Sequence, residues 1–368
     1  MTEASLKILR EKLKDKDEAI IKLLNERASL SIEIGSVKQR KELDIYDPAQ
    51  EHTLYSQIVG MNRGPLPETS LKWIYREILS ASRALQEPTT VAYLGPKESF
   101  THEAARSQFG MSAYYTPQPS ILDVFHQVER GHVRLGVVPA ANSLEGPVKV
   151  TLDRLLSTPL RIMAEIFLPI RHSLISKRAD RQGIKRIYSH PQALAQCQSW
   201  IREHIPGCSL HETESTTKAA VKVLEDDEAA AIGSAAAAST YGLTVIAERI
   251  EDHPNNTTRF LVIGNGKNRP TGRDKTSILY GTRHEPGALY NSLRSFAERE
   301  INLLSIISHP IKDRMWEYLF FVDFSGHEEE PNVEECLAEL GHRCTFVKVL
   351  GSYPDSSLSF DRNTRSTV

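Results

Sequence analysis

Nowhere in the 368-residue chain do 18 apolar residues run together, and Met1 to Lys16 is charged throughout, without the apolar stretch of a signal peptide. These absences leave no candidate for a spanning helix and lead to the expectation of a cytoplasmic protein without a secretory leader. An excess of one charge is also missing: Lys and Arg total 45 against 47 for Asp and Glu, a net charge of −2. No global field marks nucleic acid or a membrane as a partner, so any anion site has to be local. Cysteine is scarce. The four present, Cys197, Cys208, Cys336 and Cys344, are irregularly spaced and include no CxxC pair. That pattern excludes a disulfide framework or a dithiol centre and predicts reduced structural thiols. With 40% apolar and 25% charged residues the chain is neither disordered nor collagen-like. Its length predicts two or three domains.

Residues 1–88 read as helical, because Leu6, Leu9, Leu13, Ile20, Leu24, Ile34 and Val37 recur at helical spacing between charged residues. Asp47-Pro48 and Gly64-Pro65-Leu66-Pro67 break the pattern, which predicts three helices. Over residues 90–266 short apolar runs alternate with helical stretches, as in Val91 to Leu94, Leu135 to Pro139, Ile187 to Ser189, Ala229 to Gly233 and Phe260 to Gly264. This predicts an α/β segment with a mostly parallel sheet. Asn265 to Asp274 is polar and reads as a linker. Residues 275–354 then follow a βαββαβ order, an α+β ferredoxin-like pattern, and the Ser-rich tail from Ser356 to Val368 is expected to be loose.

Arg10, Arg27 and Lys38 lie on or beside the apolar stripe of the first helix, where a cation needs a partner. Either a bound anion or ion pairs along a solvated face would satisfy them. Arg27 and Lys38, 11 residues apart, share a face, being about 20° short of or past a whole number of turns. Arg10 lies roughly 42 Å from Lys38 along such a helix, so one small ligand meets both only if Arg10 comes from a second subunit. The stretches Ile8-Leu9-Arg10-Glu11-Lys12, Leu24-Asn25-Glu26-Arg27 and Ile34-Gly35-Ser36-Val37-Lys38, with Ser82 and Gln86, resemble the helical chorismate mutase domains at the start of bacterial P-proteins. The resemblance implies a homodimer in which Arg10 of one subunit, with Arg27 and Lys38 of the other, holds the two carboxylates of chorismate. It further implies that Lys38 and Gln86 face the ether oxygen as catalytic groups, that Asp47 and Glu51 contact the hydroxyl, and that Ser82 closes the site. A Claisen rearrangement needs no nucleophile, metal or cofactor, only a folded substrate and fixed donors at the developing charge. At Gln50 many members of that family carry arginine.

In the middle segment Gly95-Pro96 and Ser99-Phe100-Thr101-His102 sit where a strand turns into a helix, so Ser99 and Thr101 are either simple caps or a carboxylate cradle. His102 and His190 are proton donors by type, although histidines beside helix starts are more often structural. Further motifs are Asn142-Ser143-Leu144-Glu145-Gly146, Ser189-His190-Pro191-Gln192, Thr213-Glu214-Ser215-Thr216-Thr217 and Asn255-Asn256-Thr257-Thr258-Arg259-Phe260. Together, and in this order, they resemble the prephenate dehydratase domain. That family implies two α/β lobes, like a periplasmic solute-binding protein, with prephenate between them. Thr258 is then the essential hydroxyl at the departing ring oxygen, Arg259 a carboxylate partner, and Ser99, Thr101, Asn142, Ser189 and Thr217 the surrounding network. The family's glycine at 98 and glutamate at 141 are here Glu98 and Ala141. They are expected to add a charge beside the cradle and to remove a carboxylate from the cleft.

In the last segment Gly287-Ala288-Leu289 and Tyr318-Leu319-Phe320-Phe321-Val322-Asp323 resemble the ACT regulatory domain. This implies phenylalanine as effector, bound near Gly287, Ala288, Leu289, Ile307, Ser308 and His309, although the family's Glu-Ser-Arg-Pro reads Ile307-Ser308-His309-Pro310. The leading expectation is a bifunctional enzyme of phenylalanine biosynthesis. A mutase with a disabled dehydratase, or a non-catalytic amino-acid sensor, are the other readings left open.

Overall fold

Charged residues spaced between leucines give α1 (Glu3–Arg40), a single helix of 38 residues in the computed structural model, which describes residues 3–310 and 318–357. Asp47 ends the following turn and starts α2 (Pro48–Met61): its carboxylate accepts from Gln50 N at 3.0 Å, and Pro48 fills the first helical position. After the second proline break comes α3 (Glu68–Gln86), so the three expected helices are present. α3 lies against α1 at Gly35, where an added Cβ would stand 2.7 Å from Gln86 Cγ. Many apolar residues of α1, including Leu9, Leu13, Ile20 and Ile34, are more than half exposed. The chain divides into two units, Met1–Thr89 with Phe109–Tyr114 and Thr90–Gln108 with Tyr115–Val368.

In the second unit the chain runs through β1 (Thr90–Leu94), β2 (Tyr114–Gln118), β3 (Leu135–Asn142), β4 (Gly146–Pro147) and β5 (Arg161–Pro169). It crosses to a second sheet made of β6 (Ser173–Ser176), β7 (Arg186–Ser189), β8 (Ser209–Glu212), β9 (Ala229–Gly233) and β10 (Thr244–Ala247), and returns as β11 (Thr257–Gly264). The first sheet has the order β2-β1-β3-β11-β5 with β4 on β3, and the second the order β10-β6-β9-β7-β8. Both are mixed, not mostly parallel as the alternation predicted. β5 enters the crossing and β11 leaves it, so the two must run antiparallel when they pair, and β11 is antiparallel to β3 as well. Ile170 N donates to Asn256 O at 2.8 Å and Ile250 N to His172 O at 3.0 Å, which ties the two crossing segments together.

β12 (Asp274–Gly281), β13 (Leu303–Pro310), β14 (Tyr318–Ser325) and β15 (Phe346–Pro354) form a third sheet in the order β13-β14-β12-β15, with helices Ala288–Ala297 and Pro331–Arg343. One face of this sheet packs the helices through Tyr280, Phe296, Phe324 and Leu340. The other shares a core with the first sheet, where Leu279, Phe321, Leu350 and Tyr353 meet Val138, Ile162 and Leu261. A Cβ at Gly351 would fall 2.2 Å from Ile162 O, so only glycine permits this approach. The polar stretch read as a linker is pinned: buried Asn268 donates to Met163 O and Ser352 O, each at 2.8 Å. Of the tail, Ser356 N donates to Glu165 Oε1 at 3.3 Å, and residues 358–368 lie outside the described residues.

All four cysteines are unpaired, three of them buried, and burial raises their thiols above the ordinary range. Among the described residues no helix is long and apolar enough to cross a membrane.

Candidate functional site

In the helical unit Arg27 reaches α3, with Nη1 donating to Ser82 Oγ at 2.6 Å. Lys38 Nζ donates to Asp44 O and Ile45 O at 3.0 and 2.9 Å, a position just before the Asp47 cap. Gln86 is half-buried, and its Oε1 is shielded from water with no hydrogen-bond donor among the described residues. Glu51 pairs with Arg83, a residue the motif reading did not single out. Burial pushes the Glu51 carboxyl above its ordinary 4.5, and Arg83 acts against that rise. Arg10 is exposed on the same continuous helix, roughly 42 Å from Lys38 at 1.5 Å per residue. The fold thus gathers Arg27, Ser82, Lys38 and Gln86 along α1 and α3 and leaves Arg10 of the same chain out of reach.

In the second unit a cavity of about 450 Å³ lies where the strand ends meet the crossing segments. Ser99, Thr101, Asn142 and Thr258 line it, as do Glu145, His172, His190, Gln196, Ser215, Thr216 and Asn256. Ser99 is a cap: its hydroxyl donates to Leu94 O at 3.0 Å and accepts from His102 N at 3.3 Å. Helices Phe100–Phe109 and Thr216–Val223 begin at the cavity wall, so the positive ends of their dipoles favour an anionic occupant.

Thr258 and Asn142 face each other across the β3–β11 pairing. Asn142 Nδ2 donates to Thr258 Oγ1 at 2.9 Å and to Asn256 Oδ1 at 2.7 Å. Asn256 Nδ2 donates in turn to Gln196 Oε1 at 2.9 Å, and Gln196 Nε2 to Glu145 Oε1 at 3.0 Å. His172 Nε2 stands 2.9 Å from Gln196 Oε1 and carries the proton of that bond. Its Nδ1 is buried and has no partner among the described residues. Because Oγ1 accepts from an amide, the Thr258 hydroxyl keeps its own proton to donate.

The other expected residues fall elsewhere. Ser189 is fully buried with its hydroxyl on Ile232 O at 2.7 Å, and Thr217 is buried one position past the cavity-lining Thr216. Arg259 lies on the opposite face of β11 from Thr258, because side chains alternate along a strand. There Asp323, Tyr353 and Glu165 surround it; burial works against its cation, but these partners outweigh burial and hold it charged. His102 stacks on Tyr93 and accepts from Glu98 N at 3.1 Å, so its structural reading holds. Among the effector positions Gly287 caps helix Ala288–Ala297 at φ 80°, Ile307 packs on the shared core, Ser308 is exposed, and His309 Nε2 meets Asp153 Oδ1 at 2.6 Å.

Residues 91–268 match the prephenate dehydratase family model and residues 9–87 the model for chorismate mutase type II. A bifunctional chorismate mutase/prephenate dehydratase of Aquifex aeolicus is 46% identical over 96% of this chain and 99% of its own length. The chain belongs to the bifunctional chorismate mutase/prephenate dehydratases. The Stutzerimonas stutzeri member is 41% identical over 97% of this chain and all of its own. A crystal structure of the Arthrobacter aurescens prephenate dehydratase in complex with L-Phe superposes with a TM-score of 0.68 at 34% identity, covering 73% of this chain and 91% of that one. The helical unit is accordingly a chorismate mutase and the cavity belongs to the dehydratase segment, the two steps serving phenylalanine biosynthesis.

Neither departure in the dehydratase segment enters the cavity. Glu98 takes a left-handed backbone, φ 64°, and turns its buried carboxylate toward Arg106 and His102, at 3.7 and 3.9 Å. Ala141 pairs with Arg259 in register and lines a small void on the far face of the sheet, so no cleft carboxylate is lost there. The motif reading passed over His172, which lies in a crossing segment where nothing in the local sequence marks it. Burial lowers its imidazole below the ordinary 6.5, more than its Gln196 bond and Glu251 raise it. The neutral form, with a bare Nδ1, is therefore the resting state. The stability it contributes is present above pH 6.5 and is lost as pH falls through the lowered folded value. Dehydratase rate, corrected for the enzyme-free reaction, should stay level down through pH 6.5 as far as His172 is concerned and fall only as pH drops through the lowered folded value. An acid limb of the same shape in His172→Asn would refute that assignment.

Proposed function

We propose that prephenate occupies the cavity with its carboxylates toward the two helix starts and its ring hydroxyl at Thr258. As the C–O bond and the bond to the ring carboxyl break, carbon dioxide leaves, the ring becomes aromatic, and the Thr258 O–H donates to the departing oxygen. The observation that carries this reading is the Asn142 amide on Thr258 Oγ1 at 2.9 Å, which fixes the hydroxyl rotor so that its proton points elsewhere. Ser99 and Thr101 belong to the same lining, while Ser189 acts from behind it by fixing the second sheet through Ile232 O, and Thr217, whose buried hydroxyl has no partner among the described residues, sits one position past the lining.

In the mutase, Arg27 and Lys38 of one subunit and Arg10 of a second hold the carboxylates of chorismate. Lys38 and the shielded Gln86 face the ether oxygen, with Asp47 and Glu51 at the hydroxyl and Ser82 orienting Arg27. The single-helix distance from Arg10 to Lys38 and the exposed apolar residues of α1 both support a homodimer paired through this helix. The protein works in the cytoplasm and needs no cofactor.

Residues 275–354 act as an ACT domain with phenylalanine as effector, supported by the βαββαβ order and by the L-Phe complex of the Arthrobacter aurescens relative. His309, which stands where the family motif has arginine, engages Asp153 and so joins β13 to the dehydratase segment. Phenylalanine should slow phenylpyruvate formation while chorismate loss continues at its original rate. Initial rates for each substrate across a phenylalanine titration test this, and an unchanged dehydratase rate with no heat of binding would overturn the effector assignment.

A further inference from the structure

On β11 the residue next to Thr258 points the other way and is held between two residues of the C-terminal sheet and Glu165 of β5. Arg259 Nη1 lies 2.5 Å from Asp323 Oδ2, and Nη2 donates to Tyr353 Oη at 2.8 Å. Asp323 comes from β14 and Tyr353 from β15. Arg259 Nε stands 2.8 Å from Glu165 Oε2 as an ion pair without hydrogen-bond alignment. The Glu165 carboxylate is wholly buried, and its other oxygen meets Lys275 Nζ at 2.7 Å. The β3–β11 register slips immediately after Arg259, but the extra residue, Ala140, lies on β3; β11 itself keeps a regular ladder with β5 from Thr257 to Val262, so Thr258 and Arg259 sit on one uninterrupted stretch of backbone. A shift of the guanidinium therefore has a short covalent path to the Thr258 hydroxyl.

We propose that Arg259 is a positioning residue for the dehydratase: its seat on Asp323 and Tyr353 lets the C-terminal sheet set where the Thr258 hydroxyl stands. This rests on the reading of Thr258 given above. It differs from the expectation drawn from the motif, in which Arg259 would hold a substrate carboxylate. The seat lies outside the cavity, so its disturbance acts on the rate of the chemical step and not on the affinity for prephenate. It also gives any ligand of the C-terminal sheet a physical route to the reacting bond, through one two-sided strand.

The test is steady-state kinetics of the full-length protein with prephenate and, separately, chorismate. Asp323→Asn and Tyr353→Phe are the informative variants, since each keeps shape, and Tyr353→Phe removes one hydroxyl only. Both should lower kcat for prephenate by about 3- to 30-fold with KM and chorismate turnover unchanged. Combined with Thr258→Ala, neither should slow the residual rate further, because the effect runs through that hydroxyl. An unchanged kcat, a rise in KM alone, or the same fold-loss with and without Thr258 would each overturn the proposal. Failure of the underlying reading is visible separately, as a Thr258→Ala protein that retains full dehydratase rate.

Discussion

Thr258→Ala is expected to lower phenylpyruvate formation by about 10²- to 10³-fold, the usual loss when a preorganised donor to a departing or developing oxyanion is removed. KM for prephenate should change little, because binding comes from the two helix starts and the rest of the lining, not from this hydroxyl. Chorismate consumption should be untouched, since Thr258 lies in β11 of the second unit. Thr258→Ser keeps the donor but frees the rotor that the β-branched side chain restricts, so it should retain most of the rate. The readout is the absorbance of phenylpyruvate against a parallel assay of chorismate loss. An alanine variant within a few-fold of the parent would mean that the hydroxide leaves by another donor, with His172 or His190 the next residues in the lining to test.

Lys38→Ala should have the second large effect, lowering chorismate turnover by about 10²- to 10³-fold through loss of the cation at the ether oxygen. The dehydratase rate should stay as it was. Arg10→Ala should act in the same direction although it lies roughly 42 Å along the helix from Lys38. If each site takes its Arg10 from the other subunit, mixing the two variants under subunit exchange should restore about one quarter of the parent rate, because half of the dimers then hold one intact site of two. No recovery on mixing, with exchange shown to have occurred, would place both residues in one chain and contradict the shared site.

Much of this was legible in the sequence because punctuation and motif order carry physical meaning. Asp47-Pro48 ends one helix and caps the next, and the βαββαβ order of the C-terminal segment follows from its apolar runs. What the motifs concealed was direction. Thr258, Arg259 and Phe260 are adjacent letters, yet Thr258 and Phe260 line the cavity while Arg259 faces the third sheet. Period-two alternation was available as a signal, and applying it would have separated them. The directions of Glu98 and Ala141 were hidden for the same reason: position in a motif does not give the side of the backbone a side chain takes. His172 could not have been found locally. It matters because two crossing segments come together, and that is a property of topology, not of neighbouring residues. The mixed sheets were hidden likewise, since alternating strands and helices do not reveal where a chain leaves one sheet for another.

The most direct test of two separable sites is to mix Lys38→Ala and Thr258→Ala proteins, supply chorismate, and follow phenylpyruvate. Each variant alone should make almost none, the first for want of prephenate and the second because prephenate accumulates. The mixture should make it steadily, after a lag in which free prephenate builds up. Loss of both activities in either single variant, or phenylpyruvate made at the parent rate by one of them alone, would contradict the assignment of the two reactions to these residues.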